Sequence, residues 1–555
     1  MVPDKLADEG LDYVRAQPDV ELTSKPGITE AELAPMVGDY DGLIVRSGIQ
    51  VTAAVLAKPG RLKAIARAGV GVDNIDLDAA TEHGILVMNS AEASTISTAE
   101  HAFSLLMALA RQIGPAYKKM AEGGWDRNKF MGTQLSGKTL GVVGFGRIGR
   151  TVAERALAFG MTVVAYDPFI NAGFMMDGKV RMFASFEELA PNADLLTFHV
   201  PLNEQTKGML GVATFAKVRK GVLVINAARG GVVDEAALLA ALDSGQCGGA
   251  ALDVFDQEPP PADSPLRKHP RLLVTPHLGA STHEAQQAVS IAAAEQLLEY
   301  LRGQGVRGAV NAGGLRVDLS PLQNKFVDLV QRMAALINPM VTRGIAGVTF
   351  EIAGKELAAV AGTIERFGLV GLLKGYLAVP VNMINVRHIA EQRGIRLRTV
   401  ISEGEEKGDG PQLAMEITGP SGAVDDQTPH GDESRRIVGK VYQDMRPRVV
   451  EINRYHMDMV PAGHMVLIQN EDRPGMIGMV GSEFGSANVN IADMTISRRT
   501  SAGISGGGSG GTSGGATALM VLKVDAAPPE SLLNRLKARP GILKVAAVKL
   551  PDDRQ

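Results

Sequence analysis

The chain of 555 residues holds a single cysteine, Cys247. An intrachain disulfide framework is therefore excluded, and no cysteine pair exists to hold structural zinc. An excess of one charge is missing too. Lys and Arg number 57 against 61 Asp and Glu, so the basic footprint of a nucleic-acid binder is absent. The start, MVPDKLADEG, has neither a basic n-region nor an apolar core, which argues against a secretory signal. Long hydrophobic runs are also lacking, and stretches such as AFSLLMALA are too short to span a bilayer. These absences point to a cytoplasmic protein without metal, membrane or nucleic-acid partners.

The length suggests several domains, at roughly 100–200 residues each. From the start to about Gly314, β-branched runs such as DGLIVRS, TLGVVGFG, TVVAYDP, VLVINAARG and LLVTPHLGAS alternate with helix-length stretches. That order indicates βαβ units and parallel sheets. Phe103, Leu106, Met107 and Ala110 recur at helical spacing, which predicts one long helix between Ser94 and Gly123. After the linker NAGGLRVDLS the pattern becomes mixed α+β, and the last unit reads strand, helix, strand, strand, helix, strand. The expected fold class is α/β. Two flavodoxin- or Rossmann-like doubly wound domains precede an α+β domain and a βαββαβ domain. The expected division is 1–93, 94–282, a return to the first domain and linker over 283–314, then 315–457 and 458–555. The Gly/Ser-rich tract SAGISGGGSGGTSGGAT interrupts the hairpin of the last domain and is expected to lack fixed structure.

Strand TLGVV runs into Gly144, Gly146 and Gly149, which fit GxGxxG, and then into the helix RIGRTVAERALAFG. The glycines permit a tight turn and close approach of a pyrophosphate on the helix N-terminus. Asp167 ends the second strand about 18 residues on, where a carboxylate accepts from ribose hydroxyls and repels a 2′-phosphate. The expected cofactor is NAD rather than NADP.

Further along, NAARGGVVDE, ALDVFDQEPP and TPHLGAST each set a charged residue just after a strand, where ligands of open α/β sheets bind. Oxidising a 2-hydroxy acid needs a base for the hydroxyl proton, a cation for the carboxylate and a hydride acceptor. His277 suits the base, because histidine titrates near neutrality. Glu258 suits an orienting carboxylate, and Arg229 offers a planar fork to the carboxylate and the C2 oxygen.

VVGFGRIG, NAARGGVVDE, ALDVFDQEPP and TPHLGAST in this order resemble the D-2-hydroxyacid dehydrogenase family. The resemblance implies catalytic roles for Arg229, Glu258 and His277. It also implies cofactor contacts from Arg147 and Ile148 (pyrophosphate), Val200, Pro201 and Ala227 (walls), Asp253 (nicotinamide carboxamide), Gly279, Ala280 and Val70. IVRSG and ARAGVGVDNIDL look like the substrate loops of the phosphoglycerate dehydrogenase branch, which implies 3-phosphoglycerate as substrate. Arg46 and Arg67 would then clamp the phosphate, with Ser47 and Asn74 beside them. GGWDRNKFMGTQLSGKTLG resembles the same branch, and its Arg127 and Lys129 either draw in anionic substrate from a neighbouring subunit or form a solvated face. Relatives begin with a complete strand before a turn like PDKLADEGL, whereas only MVP precedes it here. Either the first strand is shortened or the start codon lies further upstream.

KGYLAVPVNMINVRHIAEQRGI resembles the intervening, allosteric substrate-binding domain of long members of that branch. IQNEDRPGMIGMVGSEFGSANVNIADM followed by ALMVLKVD resembles an ACT domain. That resemblance implies a homo-oligomer, dimer or tetramer, and an L-serine effector held by Asn470, Asp472 and Asn490 between two ACT domains. The alternative is a purely oligomeric module. Two other readings of the whole chain are a glyoxylate/hydroxypyruvate or D-lactate type dehydrogenase and a non-catalytic NAD-sensing scaffold. The arginine-rich substrate loops and the long tail speak against the first. No partner-binding surface stands out for the second.

Overall fold

A computed structural model of the chain describes residues 1–341, 344–374, 377, 380–402, 410–419, 434–498 and 517–551. Of the Gly/Ser-rich tract, only its last residue, Thr517, falls within them. Short apolar runs become strands buried on both faces, as parallel sheets require. Gly42–Val45, Ala64–Arg67 and Leu86–Asn89 form an outer sheet of three parallel strands. The helix His283–Leu301 returns to cover this sheet, its Ala293, Ala294 and Leu297 sharing a core with Ile44, Ala64 and Leu86. Met1 and Val2 lie along the sheet edge without forming a full strand. The Met1 amine donates to the Gly42 carbonyl at 3.0 Å, Ile44 N–H donates to the Met1 carbonyl at 3.0 Å, and Val2 bridges to Ser24.

The second sheet has eight strands, seven of them parallel, with Thr139–Val143 in the interior beside Thr162–Tyr166 and Leu195–Phe198. Its strand order reverses next to Thr139–Val143, and that switch point is where such sheets open a ligand crevice. One expectation fails here. The long helix before this sheet is two helices, Thr95–Ala110 and Ile113–Ala121, separated by Gln112 at φ +52°. Pro115 explains the break, because its ring would collide with the Arg111 carbonyl if the helix ran on. Phe103, Leu106 and Ala110 face the core as expected, whereas Met107 is 38% exposed.

The helix Pro321–Ile337 then packs on a mixed sheet of six strands. The last four strands, His464–Glu471, Ile491–Arg498, Thr517–Val524 and Ile542–Lys549, form an antiparallel sheet with two helices, in the expected βαββαβ order. In this sheet Val466, Ile468, Met520 and Leu522 face the helices. Met465, Leu467, Leu519 and Val521, on the opposite face, join the core of the preceding domain, alongside Phe326, Phe350 and Ile437. A second join links that preceding domain to the outer sheet. Ile384 sits in the outer domain's core, while the side-chain amides of Asn382 and Asn385 donate to the Gly84 and Glu82 carbonyls. Among the described residues no helix is long and apolar enough to cross a membrane.

Candidate active site

The glycine turn has the shape that a dinucleotide needs. Gly144 has φ +89°, and a Cβ there would lie 2.4 Å from the His199 carbonyl oxygen. A Cβ on Gly149 would lie 2.1 Å from the Gly144 carbonyl oxygen, so neither position admits a side chain. Gly146, the N-cap of the helix Arg147–Ala158, meets nothing within 4 Å and opens to solvent. Two glycines thus close the turn, and the third leaves bare backbone facing the crevice at a helix N-terminus, which favours a pyrophosphate. Asp167 accepts from Phe145 N–H and Phe169 N–H, each at 2.9 Å, tying the glycine turn to the end of the second strand. Ile148, Val200 and Ala227 are buried or half-buried around it, and Pro201 is exposed. Arg147 reaches an ion pair with Glu92, both largely exposed.

His277 stands at φ +54° in the turn after the strand Leu272–Val274. Its Nδ1 is 2.7 Å from Glu258 Oε2, and Glu258 Oε1 accepts from Phe255 N–H at 3.1 Å. The imidazole is half exposed, so one nitrogen is held and the other is left for a ligand. Asp253 builds the turn from beneath. Its carboxylate accepts from the Thr275 hydroxyl (2.6 Å), Leu278 N–H (2.8 Å) and Gly279 N–H (2.9 Å), and His101 Nε2 lies 3.1 Å away. Burial opposes its ionisation, yet the bonds from His101, Thr275 and Leu278 outweigh it and hold the carboxyl below the ordinary range. Asp253 is thus a buried anchor of the His277 turn, its oxygens already engaged by the protein. Ala280, half-buried, accepts from Gln286 Nε2 at 2.7 Å at the exit of the turn.

The structure gathers three arginines, Arg46, Arg67 and Arg229, from the ends of three separate strands. Arg229 follows the strand Val222–Asn226, and its turn is closed by Asn226, which donates to the Arg229 carbonyl and accepts from Ala228 N–H. Its Nε lies 3.5 Å from Asp73 Oδ2, and its guanidinium packs over Gly71, where a Cβ would collide with it. Arg67 is pushed down to about 10 by burial first and then by the positive charges of Arg229 and Arg46, with Asp73 and Asp4 opposing. Its Nε is buried without a hydrogen-bond partner among the described residues. Two carboxylates, Asp73 and Asp4, stand against three guanidinium groups, so positive charge is in excess, and an anion that entered would offset it. Ser47 is exposed beside Arg46. Asn74 is buried and spends its amide on the carbonyls of Arg46 (2.6 Å) and Ile49 (2.8 Å), so it shapes the loop. The Val70 carbonyl is taken by Asn89 Nδ2 at 2.6 Å.

Sequence reasoning missed Asp4, Asp73, Glu92 and His101. Each belongs to the site only through contacts between distant parts of the chain or through a tertiary turn, and no local motif marks them. Of the expected effector residues, Asn470 is buried with its Oδ1 unpartnered among the described residues. Asp472 pairs with Arg498 Nε at 3.1 Å, and Asn490 donates to Asp525 at 2.7 Å. Within one chain the three do not meet. Asn470 registers with Ala518 and hence with Arg498, whereas Asn490 adjoins the Val524 end of the same ladder. Among the described residues no group of His, Cys, Asp and Glu could hold a metal ion.

A glycine turn at the switch point, a carboxylate-held histidine and an arginine cluster are the parts of a dinucleotide-dependent oxidoreductase of anionic hydroxy acids. Comparison with known proteins agrees. The NAD-binding domain model of D-isomer specific 2-hydroxyacid dehydrogenases matches residues 103–279, the D-3-phosphoglycerate dehydrogenase intervening domain matches 323–453, and the ACT domain matches 464–541. The D-3-phosphoglycerate dehydrogenase of Bacillus subtilis (strain 168) is 37% identical over 552 residues, 99% of each chain. That of Archaeoglobus fulgidus is 36% identical over 550 residues, again 99% of each. Among solved structures, the TT0316 protein from Thermus thermophilus aligns with TM-score 0.51 and 35% identity, covering 56% of this chain and 98% of that one. A glyoxylate reductase from Paecilomyes thermophila aligns with TM-score 0.51 and 29% identity, covering 56% and 97%. The chain belongs to the D-3-phosphoglycerate dehydrogenase family, with the intervening and ACT domains of its long members.

Proposed function

We propose that the chain catalyses the NAD-dependent oxidation of 3-phospho-D-glycerate to 3-phosphohydroxypyruvate, the opening step of L-serine biosynthesis. The observation that carries this choice among hydroxy acids is the arginine cluster, since a substrate with both a carboxylate and a phosphate matches three guanidinium groups. Bound NAD supplies the acceptor for the C2 hydride. His277 takes the hydroxyl proton on Nε2, because Nδ1 faces Glu258. Glu258 holds the ring in place and stabilises the imidazolium as it forms. Arg229 binds the carboxylate and the C2 oxygen, and Arg46 and Arg67 bind the phosphate, with Ser47 and Asn74 lining the loop. Gly144, Gly146, Arg147, Ile148 and Gly149 receive the pyrophosphate and Asp167 the adenosine ribose. Val70, Val200, Pro201, Ala227, Gly279 and Ala280 wall the nicotinamide side, and Asp253 supports it from below.

The assay is NADH formation from 3-phosphoglycerate with a trap for the keto acid. NADH produced from 3-phosphoglycerate in preference to D-glycerate and D-lactate is expected. A chain that ignores 3-phosphoglycerate but reduces glyoxylate or hydroxypyruvate would be a different member of the wider family, and one that binds NADH but turns over neither would be a scaffold.

The domain division 1–93, 94–282, 283–314, 315–457 and 458–555 completes the proposal. Cys247 is a buried free thiol, which suits the reducing cytoplasm in which we place the enzyme. Ile113, Tyr117, Met120, Trp125 and Met131 leave an apolar stretch exposed along the nucleotide domain. That stretch supports a homo-oligomer built on this face, with Arg127 and Lys129 at its border. L-serine, as effector, would use Asn470 and Asp472 of one chain and Asn490 of another, since one chain holds them at opposite ends of the sheet.

A further inference from the structure

The loop that carries Arg46 is tied to the chain's fourth and fifth residues. Asp4 is 9% exposed, and its Oδ2 accepts from Arg46 N–H at 2.7 Å. Its Oδ1 lies 2.2 Å from where a Cβ of Gly48 would stand, so the carboxylate fills the hollow of the Arg46–Gly48 turn. The Arg46 guanidinium donates one N–H to the Lys5 carbonyl at 3.0 Å, and the Arg46 carbonyl accepts from Asn74 at 2.6 Å. Arg46 is therefore held at three points: main-chain N–H, main-chain carbonyl and side-chain tip. Two of the three holds come from Asp4 and Lys5. One of five guanidinium donors is spent on this, which leaves four for a ligand.

We propose that Asp4 is the positioning residue that gives the enzyme its preference for a phosphorylated substrate. It does not touch the substrate. It fixes the turn from which Arg46 reaches, so that the guanidinium waits in one orientation and its ordering is not charged against binding. Its charge acts the other way. Asp4 stands among the groups whose fields reach Arg67, so a negative charge there weakens the attraction for phosphate. Orientation outweighs charge, because the hydrogen bond is short and partly buried, and its loss would leave a half-buried N–H without a partner. The two effects separate in substitutions. Asp4→Ala loses both, whereas Asp4→Asn keeps an acceptor and loses only the charge.

The inference rests on Arg46 as a phosphate ligand, and the experiment keeps the two apart. The readout is the ratio of kcat/KM for 3-phosphoglycerate to that for D-glycerate, measured on the full-length enzyme. Asp4→Ala is expected to lower this ratio about tenfold, mostly through KM for 3-phosphoglycerate, while Asp4→Asn keeps it or raises it. Gly48→Ala drives a methyl group into the Asp4 carboxylate and is expected to give the Asp4→Ala phenotype. The double variant should then lose little more than either single one. Gly48→Ala also serves where Asp4→Ala fails to fold. A ratio lost in Arg46→Ala but kept in Asp4→Ala and Gly48→Ala overturns the role of Asp4. A ratio kept in Arg46→Ala overturns the reading of Arg46 itself, and the role of Asp4 with it. Equal losses for both substrates in Asp4→Ala would likewise overturn it, since that pattern means general damage to the site.

Discussion

Each residue of the site answers to a separate measurement. His277→Asn is expected to lower kcat about 10²–10⁴-fold, the range for a lost general base, with NADH binding little changed. Turnover within about threefold of the unmutated enzyme would remove His277 from that role. If Asp167 meets the ribose as we propose, Asp167→Ser is expected to narrow the preference for NAD over NADP, read as the ratio of kcat/KM for the two cofactors. His199 gives a pH prediction. Burial pushes its imidazole down to about 4, and Thr197 Oγ1 lies 3.0 Å from Nε2. Between about 6.5 and about 4 the unfolded chain takes up a proton that the folded protein refuses. Stability therefore falls as pH drops through that window and is unaffected above it. In His199→Gln the gap between urea midpoints at pH 7.5 and pH 5 should shrink, and an unchanged gap would show that another group carries the acid sensitivity. Charged residues directly after strands, such as Arg229, Glu258 and His277, were legible in the sequence because strand ends point at the crevice. Asp4 and Asp73 were not, because their roles come from loops that meet only once the outer sheet is built.

At the scale of elements, the glycine turn makes a prediction that separates fold from binding. Gly149→Ala sets a methyl group against the Gly144 carbonyl oxygen and should destabilise the ligand-free protein by about 1–3 kcal/mol, the range for overpacking. Gly146→Ala meets open space, so the melting temperature without ligand should hardly move while NADH affinity falls. Thermal melts and NADH fluorescence titration of both variants test this pair. Equal loss of stability in the two would mean that Gly146 also has a packing duty. GxGxxG was readable because its three glycines are needed for different local reasons. The break at Gln112 was hidden, since the apolar spacing continues across it and only the Pro115 ring marks the stop. The last domain's strands carried a further legible signal. MVLI over 465–468 and ALMVL over 518–522 are unbroken apolar runs, and such runs mean burial on both faces rather than one. The βαββαβ order predicts the helices on one face, but it does not say what covers the other.

In the whole molecule, that other face belongs to the intervening domain. Met465, Leu467, Leu519 and Val521 are each no more than 2% exposed in the shared core, and burial of side chains of this kind is worth about 1.5–3 kcal/mol apiece. A fragment of 458–555 alone is expected to self-associate or aggregate, whereas 315–555 should be monodisperse and unfold cooperatively. Size-exclusion chromatography and calorimetry of the two fragments check this. A well-behaved 458–555 fragment with a cooperative melt would show that the shared core adds little. Serine binding is accordingly to be measured on the full chain, where no heat with L-serine would leave the tail as an assembly module. The shared core also bears on how such genes recombine. A unit covered only by its own helices can be exchanged between proteins at its linkers with little penalty. Here a transplanted ACT unit would arrive with a sheet face shaped for its former neighbour, and the four apolar side chains would have to be matched anew. The intervening and ACT domains are therefore expected to be inherited as a pair, with Leu467 or Leu519 changing in step with the residues of the intervening domain that they touch.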